Sequence, residues 1–124
     1  MTGAISILTV DDSRSMRALL RAILLGAGFD VTEAQDGEEA LHRLSEREFD
    51  LVITDINMPK LDGFAFIERL RGEGVFHVDR PILVLSTERE AEKKARARDA
   101  GATGWIVKPF DPAKLVAAIR RVMH

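Results

Sequence analysis

Apolar residues along the chain fall into two alternating rhythms. Short, nearly continuous runs rich in β-branched residues occur at Ile5, Ile7, Leu8 and Val10, at Leu51-Val52-Ile53, at Ile82-Leu83-Val84-Leu85, and from Gly104 to Val107. Runs of this length and composition predict buried strands. Phe29 to Ala34 instead alternates apolar and polar positions, which predicts a more exposed strand, placed at an edge. Between the strands, apolar residues recur at three- and four-residue spacing. They are Met16, Leu19, Leu20 and Ile23; Ala40, Leu41 and Leu44; Phe64, Ile67 and Leu70; and Leu115, Val116, Ile119 and Val122. Each set predicts one buried face of a helix, with Arg14, Arg17 and Arg21 on the outer face of the first.

Boundary residues agree with this division. Ser13, Asp36 and Asp111 followed by Pro112 are helix N-caps, and helix three starts near Gly63. Gly26 and Gly28, Gly72-Glu73-Gly74 and Gly101 are stops, and Pro81 introduces the fourth strand. The fourth helix, from about Arg89 to Ala100, contains no large apolar residue. It can bury little, so it should be held weakly and move easily. With strand five and helix five it is the expected output face of the domain.

Five such strands alternating with five helices predict an α/β fold: a flavodoxin-like, doubly wound (βα)5 sandwich around a five-stranded parallel sheet of order 2-1-3-4-5. Sites in such sheets form beyond the carboxyl ends of the strands, where the strand order reverses. Asp11 and Asp12 follow strand one, Asp55 follows strand three, Ser86 follows strand four and Lys108 follows strand five. All five are therefore expected on one rim.

Composition narrows the classes. The 124 residues, 46% of them hydrophobic, suffice for one core, and residues 1–124 read as a single domain without linker or output domain. No apolar run reaches about eighteen residues, so no membrane-spanning helix is expected. The absence of Cys excludes disulfides and thiol chemistry and fits a reducing compartment. The start of the chain has no basic region followed by a cleavage site, so an unprocessed, cytoplasmic protein is expected. A net charge of −2, with acids interleaved among Lys93, Lys94, Arg96 and Arg98, speaks against nucleic-acid binding. His42, His77 and His124 have no ligand spacing and read as surface residues.

The predicted rim has a chemistry of its own. At an effective dielectric of ~20, two carboxylates ~4 Å apart repel by ~4 kcal/mol, so three need a proton or a cation. An oxygen-only set without His or Cys suits Mg2+, or Mn2+. A divalent ion and a lysine around one carboxylate form an arrangement suited to a phosphoryl group. Asp55, at the centre, would then be a nucleophile forming an aspartyl phosphate. Plainer readings compete at each position. Asp11 and Asp12 could cap helix one, Ser86 and Thr87 could cap helix four, Lys108 could be a turn lysine, and Trp105 could be half-buried core.

Taken together, the motifs are specific. Val10-Asp11-Asp12, Asp55 with Asn57-Met58-Pro59 and Asp62-Gly63, Leu85-Ser86-Thr87-Glu88, Gly101-Ala102 and Lys108-Pro109-Phe110 occur in this order. The chain thereby resembles, over essentially its whole length, the response-regulator receiver domain of bacterial two-component signalling. Within that family it is most similar to stand-alone, chemotaxis-type regulators.

The resemblance implies roles. Asp55 accepts phosphate from a sensor histidine kinase, and the domain supports its own phosphorylation and autodephosphorylation without being an enzyme. Asp12, Asp55 and the backbone carbonyl of Asn57 ligate Mg2+, with Asp11 acting mostly through water. Ser86 is the switch hydroxyl where Thr is frequent, Lys108 pairs with the phosphoryl group, and the Lys108-Pro109 bond is cis. Trp105 occupies the switch aromatic position, where Tyr or Phe is usual. The expected downstream target is a protein such as a flagellar motor component or a phosphotransfer protein, met by a monomer. Alternatives are a phosphorelay intermediate or another stand-alone regulator. An aspartyl-phosphate phosphatase of haloacid-dehalogenase type would place its nucleophile after strand one, with a second Asp two residues on. A nucleotide or flavin binder would need a Gly- or Ser/Thr-rich loop where Asp11-Asp12 stands.

Overall fold

A computed structural model of the chain describes residues 3–123; His124 lies outside them. The elements are β1 (Ser6–Val10), α1 (Arg14–Gly26), β2 (Asp30–Ala34), α2 (Gly37–Glu46), β3 (Leu51–Thr54), α3 (Gly63–Gly72), β4 (Ile82–Ser86), α4 (Ala91–Ala100), β5 (Gly104–Val107) and α5 (Pro112–Val122). The strands form one sheet of order β2-β1-β3-β4-β5, and every pairing is parallel. The expected flavodoxin-like (βα)5 architecture is the one found.

Successive strand residues point to opposite faces, so each buried strand feeds two apolar layers. One layer joins Leu8, Val52 and Val84 to Ala40 of α2, Phe64, Phe66 and Ile67 of α3, and Ala97 of α4. The other joins Ile7, Leu51, Ile53 and Leu83 to Leu20 and Leu24 of α1 and to Leu115 and Ile119 of α5. The sheet is thus covered on both sides, which is why β3 and β4 are buried throughout and apolar up to their last residues, Thr54 and Ser86.

The structure corrects the sequence reading in four places. Leu19 is 47% exposed, and Leu24 takes the inward position instead. The buried stripe of α1 runs through Leu20 and Leu24, one helical turn apart, and Leu19 lies about 100° around the helix from Leu20. Phe66, not expected in the core, is fully buried, because α3 packs against both the sheet and α4. Helix α4 begins at Ala91 rather than near Arg89, and its N-cap, Glu90, makes no side-chain cap bond. Neither Ser86 nor Thr87 therefore caps it. Strand β5 is half-buried along its length rather than buried, as the edge position opposite β2 allows.

One glycine fixes the loop after β3. A Cβ at Gly63 would lie 2.5 Å from both the Asp55 carbonyl oxygen and the Ile56 Cα, so backbone would have to move. The Gly63 N–H also donates to the Ile56 carbonyl at 2.8 Å. Gly63→Ala is expected to destabilise the fold by about 3 kcal/mol, the upper range for overpacking. Urea denaturation would show this as a lower midpoint with an unchanged slope.

Candidate functional site

The strand ladders extend past the strand ends and set the site. The Asp11 N–H donates to the Ala34 carbonyl, the Asp55 N–H to Val10 and the Lys108 N–H to Ser86. Three strand tips are thereby held in register, and each delivers a charged side chain to the crevice at the β1/β3 reversal. One carboxylate oxygen from each of Asp11, Asp12 and Asp55 lies within 4.8 Å of the others. Lys108 Nζ stands 3.1 Å from Asp11 Oδ2 and 3.4 Å from Asp55 Oδ2, with its side chain 11% exposed.

The three acids are not equivalent. Asp11 is buried, and its Oδ1 accepts from the Ser13 N–H at 2.8 Å. Asp55 is half-buried, and its Oδ1 accepts from the Ile56 N–H at 2.7 Å. Asp12 is exposed, and its side chain has no hydrogen-bond or ion-pair partner among the described residues. Burial pushes the Asp55 carboxyl above its ordinary range; Lys108 and the Ile56 N–H oppose the shift, and Asp11 adds to it. Ser13, not either aspartate, caps α1, by accepting from the Met16 N–H. The cap readings of Asp11 and Asp12 therefore fail as helix-capping roles.

Charge and donor type decide what the crevice can hold. With Lys108 counted, the ionised cluster carries a net charge of −2. All its donors are hard carboxylate oxygens, and one carboxylate is free of partners. That set fits one Mg2+ or Mn2+ ion and does not fit a softer metal.

The remaining predicted residues sit around this centre. Ser86 is fully buried, and its Oγ accepts from the Glu88 N–H at 3.1 Å. Asn57 is exposed in the loop after Asp55. Trp105 is half-buried against the first apolar layer, and its Nε1–H donates to the Glu88 carbonyl at 3.0 Å. The Lys108-Pro109 bond is cis. Helix α4 buries only Ala97, and Arg96 stacks 4.1 Å from the centre of the Phe64 ring.

Two participants escaped the sequence reading. Glu88 bonds Ser86 through its N–H, Trp105 through its carbonyl, and Lys93 (2.8 Å) through its carboxylate. Lys93, then Glu90, hold that carboxylate below its usual range. Arg17, assigned to the outer face of α1, has a side chain only 16% exposed and donates through Nη1 to the Asp11 carbonyl at 2.6 Å. Its place one turn beyond Asp12 was the one available signal.

A doubly wound sheet with three carboxylates and a lysine over its switch point defines a class of phosphoryl- or cation-handling α/β protein. Comparison with known proteins specifies the family. The family model described as response regulator receiver domain matches residues 7–120. The chain is 40% identical over 118 residues to ycf27 of Porphyridium aerugineum, described as a probable transcriptional regulator, covering 95% of this chain and 48% of that protein. It is 43% identical over 103 residues to a gliding motility regulatory protein of Myxococcus xanthus, covering 82% of this chain and 13% of that protein. The chain thus spans about half or less of these two relatives. Among solved structures, chemotaxis protein CheY4 of Vibrio cholerae superposes with a TM-score of 0.90 at 42% identity, covering 98% of this chain and 99% of that one.

The chain belongs to the response regulator receiver domain family. Within that family it is a CheY-like receiver domain of the two-component type. Receiver domains are in general signalling modules rather than enzymes, bind Mg2+ at an acidic pocket, and engage histidine kinases and downstream targets. Among the described residues, no helix is long and apolar enough to cross a membrane.

Proposed function

We propose that this domain accepts a phosphoryl group on Asp55 from a sensor histidine kinase and thereby changes the affinity of its α4-β5-α5 face for a downstream protein. One observation carries the reading: Asp55, the central acid, has its Oδ2 3.4 Å from Lys108 Nζ and lies within 4.8 Å of two further carboxylates. In the transfer an Asp55 oxygen bonds to phosphorus as the phosphorus–nitrogen bond to the kinase histidine breaks. Asp12, Asp55 and the Asn57 carbonyl would hold Mg2+, which would supply positive charge to the phosphoryl oxygens. Lys108 supplies more from the opposite side. Asp11, already tied to Lys108 and Ser13, would act on the ion through water.

The output route follows the bonds to Glu88. Ser86 turning toward the phosphoryl group would release the Glu88 N–H, and the Glu88 carbonyl is the acceptor of the Trp105 indole. Helix α4, with one buried alanine, is the element most easily shifted. An end-to-end likeness to a chemotaxis protein supports a chemotaxis role, with a flagellar motor component as target; a phosphorelay intermediate is the alternative. The domain is taken to act as a cytoplasmic monomer.

The test uses the single tryptophan. Mg2+ followed by beryllofluoride, which mimics the phosphoryl group, should change Trp105 emission in two steps, and acetyl phosphate with Mg2+ should add one phosphoryl mass. A phosphoryl gain without the second optical step would leave the chemistry intact and remove Trp105 from the output route. No gain in mass would refute the central reading.

A further inference from the structure

We infer that Arg17 is a positioning residue for the cation site: by holding the Asp11-Asp12 peptide it sets where the otherwise unsupported Asp12 carboxylate stands. The inference rests on the Mg2+-dependent reading of the acidic crevice and assigns to it a residue outside the acid and lysine set.

Asp12 contributes one oxygen to the three-carboxylate cluster, yet its side chain has no partner among the described residues. Nothing but the backbone therefore aims it. The backbone of Asp11, just before it, is held at both ends. The Asp11 N–H is fixed by Ala34, and the Asp11 carbonyl, which belongs to the Asp11-Asp12 peptide, accepts from Arg17 Nη1 at 2.6 Å. Arg17 is itself restrained, because its Nε lies 3.4 Å from Glu33 Oε1 on β2, and Glu33 also meets Arg21 Nη1 at 3.4 Å. The chain of contacts runs from β2 through Glu33 and Arg17 to the peptide that orients Asp12. A guanidinium can make both contacts at once because its N–H donors are set in a rigid fork; a lysine ammonium is a single point at the end of a flexible stem. Partners of this outer kind commonly change metal affinity 10- to 100-fold when removed.

Charge and position predict opposite signs. Arg17 is a cation beside a site for cations. If it acted only through charge, Arg17→Gln would tighten Mg2+ binding and Arg17→Lys would leave it unchanged. If it positions Asp12, both variants weaken binding, because neither can bridge Glu33 and the Asp11 carbonyl. Glu33→Gln, which keeps Arg17 but loosens its anchor, should weaken binding less. Arg14, on the same helix, is exposed, so Arg14→Gln serves as the charge control.

The experiment is calorimetric titration of Mg2+ alone into the folded proteins at a temperature well below every melting midpoint, which separates affinity from stability. The expected result is about a tenfold or greater rise in Kd for Arg17→Gln and Arg17→Lys, with Arg14→Gln within about twofold of the parent. Unchanged affinity in Arg17→Lys, or tighter binding in Arg17→Gln, would overturn the assignment, even if both variants melt earlier. A parent protein that binds no Mg2+ would overturn it at its base, and that outcome is recognisable because it appears before any variant is made.

Discussion

Asp55→Asn is expected to abolish the phosphoryl mass gain while raising the stability of the fold at neutral pH. The two effects share a cause. The Asp55 carboxyl is pushed above its ordinary value by burial, and only in part brought back by Lys108 and the Ile56 N–H. A carboxyl with a raised folded-state pKa binds its proton more tightly in the folded chain than in the unfolded one. Its contribution to stability is fully present below the unfolded value of 3.8 and is lost as pH rises through the folded pKa. At neutral pH the protein therefore holds an ionised Asp55 at a cost. Asparagine keeps the shape and can still accept from the Ile56 N–H, and Lys108 keeps Asp11 as its partner. A higher melting midpoint is expected at pH 7, at about 4 °C for each kcal/mol gained in a domain of this size. The gain should shrink as pH falls through the folded pKa of Asp55, and also as Mg2+ is added to the parent protein. Melting curves over pH 4 to 8, with and without Mg2+, measure both trends. An Asp55→Asn protein that melts lower than its parent at pH 7 would show that the acid cluster does not strain the fold. One that still gained phosphate at that position would remove Asp55 as the acceptor.

How much of this was legible in sequence follows from the range of each interaction. The strands were readable because burial on both faces makes them apolar without interruption, and a charge at such a run's end can only be a strand tip. Once the strand order was inferred, Asp11, Asp12, Asp55 and Lys108 had nowhere else to meet. The errors arise where a side chain's role depends on a partner distant in the chain. Leu19 and Leu24 have equal claim to the core by composition, and only the seating of α1 on the sheet decides between them. Arg17 reads as solvated because arginine usually is, yet its guanidinium reaches back six residues to a carbonyl. Glu88 reads as one charge among many in Glu88 to Glu92, since its two backbone bonds carry no compositional signature. Site geometry was thus accessible through topology, whereas the supporting contacts required coordinates.

Lys108→Ala is expected to make stability depend more strongly on Mg2+ than in the parent and to disconnect phosphorylation from Trp105. Asp11 is 2% exposed, and Lys108 Nζ at 3.1 Å is its only ion-pair partner among the described residues. Removing that partner leaves a buried carboxylate with one N–H donor, from Ser13, and a second ionised acid close by. Breaking a buried pair in this way costs about 3–5 kcal/mol. The cluster's net charge also falls from −2 to −3 when all three acids are ionised, so the crevice should attract a divalent cation more strongly than in the parent. Mg2+ should therefore raise the melting midpoint of Lys108→Ala more than that of the parent, recovering much of the loss by mass action. Phosphoryl transfer should be slowed, because one source of positive charge is gone, but not excluded, because the acceptor and the acids remain. The communication with the edge of the sheet should suffer more. The Lys108 N–H is bonded to the Ser86 carbonyl, and Lys108 directly follows β5, the strand that carries Trp105. A phosphoryl group gripping the Lys108 ammonium would pull on that strand, and alanine gives it nothing to grip. In Lys108→Ala, beryllofluoride should thus bind without the second change in Trp105 emission. If the full optical step persisted, the signal would have to travel through Ser86 and Glu88 alone. If Mg2+ stabilised variant and parent equally, Lys108 would not be the charge that balances the acids.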